Sequence, residues 1–239
     1  MEPVSPQPDR GDPDYAAGEL VEQSWVANAD AWTRAVREGR IASRRQGTDA
    51  AILEAVLATT PATALDVGCG EGWLSRALGE HGVDVVGIDS SPPLVERARE
   101  PGGGRFEVMS YDELAASAGS VPGPFDAIVC NFSLFTDKLT PLLSALARRL
   151  SPSGTLFIQT AHPHASAASE STPDGWRTET FGSFDVQFPA AMPWYFRTRD
   201  SWYEEIALAG LRVAELREPM NPVTGQPLSL LILCRAVEG

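Results

Sequence analysis

The chain has 239 residues, 43% of them apolar, and a formal net charge of −13 from 32 acidic and 19 basic side chains. That charge repels a phosphate backbone at long range and argues against nucleic acid as the main partner, though a local basic groove is compatible with it, while the apolar fraction suffices for a buried core and excludes a disordered acidic chain. No run approaches the roughly 20 apolar residues of a membrane helix, no leader pattern opens the chain, and Cys69, Cys130 and Cys234 each lie in an apolar stretch, so the expectation is a cytoplasmic protein with reduced thiols and no structural metal.

Residues 1–18 are rich in Pro, Asp and Gly and read as a flexible tail. Residues 19–60 read as an N-terminal helical cap. Val21, Trp25, Ala29 and Trp32 recur on one helical face, and a second helix over 49–58 turns Ile52, Leu53, Val56 and Leu57 inward. The main domain, 61–239, then alternates. Strands are expected at 64–67, 83–88, 105–109, 125–130 and 154–160, with helices at 74–82, 92–99, 111–118 and 139–150. The helix at 92 follows a Ser cap and carries Pro in its first turn. Such ordered strand–helix units give a parallel sheet with right-handed crossovers. Residues 162–198 break the period and read as an insertion. A helix at 200–209 stops at Gly210. Two last strands, 212–216 and 228–234, are joined by a segment with Pro219, Pro222, Gly225 and Pro227, too short for a helix, so they pair antiparallel.

The sharpest feature is Leu65-Asp66-Val67-Gly68-Cys69-Gly70-Glu71-Gly72-Trp73, a strand running through a glycine turn into a helix. Glycines there let the backbone turn tightly and approach a ligand. Asp89 ends the next strand, where a carboxylate can accept both hydrogen bonds of a ribose diol. The spacing is GxGxG, and Trp73 stands where the dinucleotide fingerprint GxGxxG needs its third glycine, so NAD and FAD fit poorly.

LDVGCGEGWLSRAL followed by VVGIDSSPPLVERAR resembles the first two motifs of class I S-adenosylmethionine-dependent methyltransferases. The likeness continues through FEVMSYDEL and FDAIVCNFSLF, covering 64–160. The resemblance implies an α/β, Rossmann-like, seven-stranded sheet in the order 3-2-1-4-5-7-6, its last strand antiparallel, with helices on both faces and the aromatic-rich insertion after strand 5. It implies S-adenosyl-L-methionine as cofactor. By position, Gly68, Gly70 and Gly72, with Cys69 between them, would face the methionine part, and Asp66 would order that loop or reach the amino group through water. Asp89 would hold the ribose. Ser90 and Leu94 would border the adenosine, and Tyr111 and Asp112 the adenine. Asn131 and Phe132 would face the methyl end, and Arg44 from the cap would meet the methionine carboxylate. An N-P-P-Y type motif is absent after strand four, where Asn131-Phe132-Ser133-Leu134 stands, which argues against methylation of DNA bases or protein glutamine.

The insertion leaves the carboxyl end of strand five, the edge where open α/β sheets bind ligands. Trp176, Phe181, Phe184, Phe188, Trp194, Tyr195 and Phe196 suit a lid over a flat apolar acceptor, with Trp176, Trp194, Tyr195 and His164 as substrate contacts. His162, nearest the strand end, is the candidate general base, since a neutral imidazole works near pH 7. The expected activity is methylation of a small-molecule acceptor at O, N or C by a monomer or homodimer. A cyclase or decarboxylase on the same fold and a non-catalytic binder are the alternatives.

Overall fold

The computed structural model describes residues 13–116, 121, 123–163 and 172–237. In chain order the elements are α1 (Pro13–Arg37), a π-helical turn (Arg44–Thr48), α2 (Asp49–Leu57), β1 (Thr63–Val67), α3 (Trp73–Glu80), β2 (Asp84–Asp89), α4 (Pro92–Arg99), β3 (Arg105–Val108), α5 (Tyr111–Ala116), β4 (Phe125–Asn131), α6 (Thr140–Ala147) and β5 (Leu150–Ala161). There follow β6 (Gly175–Glu179), β7 (Met192–Phe196), α7 (Arg199–Leu208), β8 (Leu211–Arg217) and β9 (Ser229–Ala236). One sheet runs β3-β2-β1-β4-β5-β9-β8, and β6 and β7 form a separate hairpin. Only β9 opposes its neighbours. With β8 and β9 counted as the sixth and seventh strands, this is the expected 3-2-1-4-5-7-6.

The central strands are apolar on both faces because helices cover both. Leu65, Val67, Ile128, Cys130 and Ile158 pack with Leu142 and Leu146 of α6 and Trp202 and Ile206 of α7. The alternate positions Ala64, Val129, Phe157 and Leu231 pack with Ile52 and Val56 of α2 and Leu74 and Leu78 of α3. Burying such side chains stabilises each by about 1.5–3 kcal/mol, and their alternation pins the register, since a slip of one residue would exchange the two cores.

Two expectations change. The tail does not reach residue 18: α1 begins at Pro13, a residue whose missing N–H costs nothing in a first helical turn, and residues 1–12 lie outside the described residues. The fourth crossover helix ends at Ala147, and β5 begins at Leu150 rather than at 154. Ser151-Pro152-Ser153-Gly154 reads as a turn, yet Phe125 pairs with Leu150 and Ala127 with Thr155, so the segment is a bulge inside the strand. The insertion folds in part as the β6–β7 hairpin, pairing Trp176 with Tyr195.

The helix α1 docks through a stripe of buried residues at 21, 24, 28, 31 and 35. Asn28 is fully buried. Its Nδ2 donates to the Ala190 carbonyl at 2.8 Å and its Oδ1 accepts from Ala190 N at 3.0 Å, which clasps the insertion to α1.

Candidate functional site

The site starts where β1 ends. Gly68 and Cys69 donate their N–H groups to the Ile88 carbonyl at 2.8 and 2.9 Å, so the loop folds across the end of β2. Gly68 sits at φ +73°, and a Cβ there would lie 2.3 Å from Ser133 Cβ. Only glycine fits. Gly70 donates to Asp89 Oδ2 and Ser91 N to Asp89 Oδ1, both at 2.9 Å. Each carboxylate oxygen keeps a further lone pair. Burial raises the Asp89 carboxyl above the ordinary range, against the pull of those two N–H donors. Asp66 is 2% exposed and accepts from Ser75 Oγ at 2.7 Å. Burial pushes its carboxyl up to about 6, with the Ser75 bond opposing and the Asp89 charge adding. Its bond to Ser75 ties β1 to α3 on the two sides of the loop.

Four expected cofactor residues are committed elsewhere. A Cβ on Gly72, which starts α3, would meet Arg76 and the Phe106 ring at 2.9 Å, so its packing is against protein. The Cys69 side chain joins Val95, Ala98 and Phe106 in a small core. Leu94 is 1% exposed beneath α4. Arg44 pairs with Asp49 at 2.8 Å and covers the Trp73 ring at 4.5 Å, so its charge is already answered. The cap arginine that does reach the loop is Arg37, whose Nε is 3.0 Å from Glu71 Oε2; Arg76 reaches the same oxygen at 2.7 Å.

Across the cleft, Tyr111 Oη donates to the Ser133 carbonyl at 2.6 Å, and Ser133 Oγ donates to the Val67 carbonyl at 2.7 Å. Burial raises the Tyr111 phenol far above its usual range. Asp112 is exposed in the first turn of α5. Its charge reaches Glu22 of α1, whose carboxyl is raised by burial first and then by Asp112, Glu113 and Glu19. Ser90 is half-buried beyond β2. Asn131 ends β4 with Oδ1 buried and unpartnered. Phe132 follows at φ +50°, a conformation costly for a bulky residue and characteristic of binding sites.

An aromatic roof closes over this loop. Trp32 Nε1 lies 3.4 Å from where a Gly70 Cβ would be. Trp25 meets Trp32 edge-on at 5.0 Å and Phe135 at 5.7 Å, and Phe184 and Phe188 approach Trp32 at 6.4 and 6.5 Å. Trp25, Trp32 and Phe135 were not among the expected contacts. The seven-residue spacing of the two tryptophans puts them on one face of a helix, and the family resemblance implies such a helix over the cofactor mouth without giving the contacts.

The expected acceptor residues are divided. Tyr195 packs edge-on against Trp176 at 5.5 Å and donates its N–H to the Phe135 carbonyl at 2.8 Å, tying the hairpin to the loop after β4. Trp194 faces the hairpin's other side, against Phe196. His162 is 2% exposed, and its Nε2 lies 3.0 Å from Glu218 Oε1, which Arg199 also holds. His164 lies outside the described residues.

The model of a family described as a methyltransferase domain matches residues 41–216. The chain belongs to this methyltransferase family. Among curated relatives of the methyltransferase, the ubiquinone biosynthesis O-methyltransferase of Xanthomonas campestris pv. campestris is 41% identical over 106 residues, covering 41% of this chain and 43% of that protein. The protein of the same name from Methylococcus capsulatus is 36% identical over 100 residues, again 41% of this chain, and 42% of the relative. The match thus spans less than half the length of these relatives. The 1,6-didemethyltoxoflavin-N1-methyltransferase of Burkholderia thailandensis, solved with 1,6-didemethyltoxoflavin and S-adenosylhomocysteine, shares the fold with a TM-score of 0.64 at 19% identity, covering 98% of this methyltransferase and 95% of that chain. Magnesium protoporphyrin IX methyltransferase of Synechocystis, solved with its methyl donor, gives 0.63 at 17% identity, over 96% and 100% of the two chains. Among the described residues, no helix is long and apolar enough to cross a membrane.

Proposed function

We propose that the chain transfers a methyl group from S-adenosylmethionine to a small-molecule acceptor with a flat, apolar body. The observation that carries the donor half is Asp89, which holds the glycine loop through Gly70 N and keeps lone pairs for a diol. The unpartnered Asn131 Oδ1 suits the ammonium of an amino-acid end. These residues fit the donor, while Gly72, Cys69, Leu94 and Arg44 act behind it. The bound donor supplies an electrophilic methyl on sulfur. The protein aligns the acceptor, excludes water and holds a proton where one must leave.

The acceptor half rests on the roof of Trp25, Trp32 and Phe135 beside the Trp176–Tyr195 pair. A relative named for O-methylation in ubiquinone biosynthesis and a fold neighbour bound to 1,6-didemethyltoxoflavin support a small-molecule acceptor. His162 is the residue proposed to take the acceptor's proton. Glu218 Oε1 lies 3.0 Å from Nε2, a contact that fixes the orientation of the ring. The charge of −13 supports a free acceptor over tRNA. Three buried free thiols support work in the reducing cytoplasm, as a monomer or homodimer.

Calorimetry tests the reading. S-adenosylhomocysteine binds the wild type, NAD does not, and Asp89→Ala weakens binding by about tenfold or more, because each hydrogen bond to a charged group is worth about 1.5–3 kcal/mol. NAD binding without S-adenosylhomocysteine binding refutes it.

A further inference from the structure

Among the described residues two arginines are buried, and they are treated differently. Arg149 is 9% exposed, and its Nε, Nη1 and Nη2 donate to the carbonyls of Val121, Ala145 and Leu114. It is a structural pin between chain segments. Arg197, the residue after β7, is 3% exposed. Its Nη2 donates to the Asp137 carbonyl, while its Nη1 is buried with no partner. Three carboxylates lie close enough for their charge to reach it, those of Glu205, Asp174 and Asp137, yet none hydrogen-bonds Nη1: Asp174 Oδ1 takes Thr198 N, and Glu205 Oε2 takes Thr140 Oγ1. The guanidinium instead lies over the Tyr195 ring at 4.8 Å and the Trp202 ring at 5.3 Å.

A buried guanidinium with an unpaired nitrogen is expensive, and this chain has acid to spare. The place of Arg197 gives the expense a purpose. Asp137 lies two residues beyond Phe135, which packs on Trp25 and accepts from Tyr195 N. The fork thus sits against Tyr195, whose other contacts are the Trp176 ring and the Phe135 carbonyl. A planar guanidinium offers paired donors that match a carboxylate.

We propose that Arg197 recognises an anionic group on the acceptor, and that the acceptor is a flat molecule bearing a carboxylate. This rests on the methyl-transfer reading above. The flat body lies against Trp176, Tyr195 and Phe135, and because Nη1 is sealed from solvent here, the side chains around it must part to admit the carboxylate.

The test uses benzoate and its uncharged isostere benzamide, titrated into the full chain saturated with S-adenosylhomocysteine. Benzoate should bind about tenfold or more tightly than benzamide, the ratio expected of one charge-assisted hydrogen bond. Arg197→Gln should bring benzoate down to the benzamide level, Arg197→Lys should recover part of the preference, and S-adenosylhomocysteine affinity should hold in both. Equal binding of the two probes, no binding of benzoate, or a preference that survives Arg197→Gln overturns the proposal. Should Arg197→Gln fail to fold, the wild-type comparison decides alone. Loss of S-adenosylhomocysteine binding by the wild type would instead sink the donor assignment, so the two failures are distinguishable.

Discussion

Gly68→Ala isolates the closest backbone approach in the site. Two costs arise. The left-handed φ of +73° penalises any Cβ by about 1–2 kcal/mol. The new Cβ would also stand 2.3 Å from Ser133 Cβ, far inside the contact distance of about 3.5–4.0 Å between carbons. Ser133 cannot retreat freely, because its Oγ holds the Val67 carbonyl and its own carbonyl holds Tyr111 Oη. Overpacking of this kind costs about 1–3 kcal/mol more. Gly82→Ala is the control: φ is +85°, and nothing lies within 4 Å of its Cβ position. For a chain of this size each kcal/mol moves the melting temperature by about 2–4 °C. Gly82→Ala should therefore lose about 2–8 °C, and Gly68→Ala about 2–12 °C beyond that. Thermal unfolding followed by circular dichroism measures both. Equal losses in the two variants would show that Ser133 does not press on the loop.

Asp66, raised to about 6 by burial, binds a proton more tightly folded than unfolded, so stability should fall as pH rises from about 4 to 6, by up to about 3 kcal/mol. Asp66→Asn should remove that part of the fall and leave the same-signed part due to Asp89; an unchanged slope in denaturant titrations would exclude Asp66 as its source. Asn28→Ala strands both backbone groups of Ala190 and should cost about 1–3 kcal/mol, with faster hydrogen exchange at the Ala190 amide; unaltered exchange would show that the clasp carries no weight. With an acceptor in hand, His162→Ala should cut turnover about 100-fold or more while S-adenosylhomocysteine affinity holds; turnover above roughly a tenth of normal would leave alignment alone to drive transfer.

How far the sequence speaks depends on the range of the contact. The helix α4 was readable to the residue because Ser91 before Pro92-Pro93 is a local start signal. The strand order followed from strand–helix alternation and from a last connection too short to cross over. The glycine loop and Asp89 were legible because their chemistry lies in one spacing. The cap was not. Arg37 and Arg44 look equivalent in a basic run, and only the docking of α1 decides that Arg37 meets Glu71 while Arg44 meets Asp49. The same long-range docking turns Trp25 and Trp32 from a helical stripe into a roof. Gly72 looked like its two neighbours, and only the Phe106 ring beside it shows that its missing side chain makes room for protein.

The Arg37–Glu71 pair makes the N-terminal helix a thermodynamic partner of the donor. Glu71 sits inside the glycine turn at 1% exposure, and Arg37 also spans to Glu100 at 3.2 Å and to the Arg97 carbonyl at 2.6 Å. Seating α1 therefore supplies countercharge to the very turn that the donor must find ordered. By linkage the effect runs in both directions and with equal strength: a bound donor holds α1 down as firmly as α1 prepares the turn. Loosening the first helix is then felt as weaker donor affinity, at a distance, with every residue around the donor unchanged.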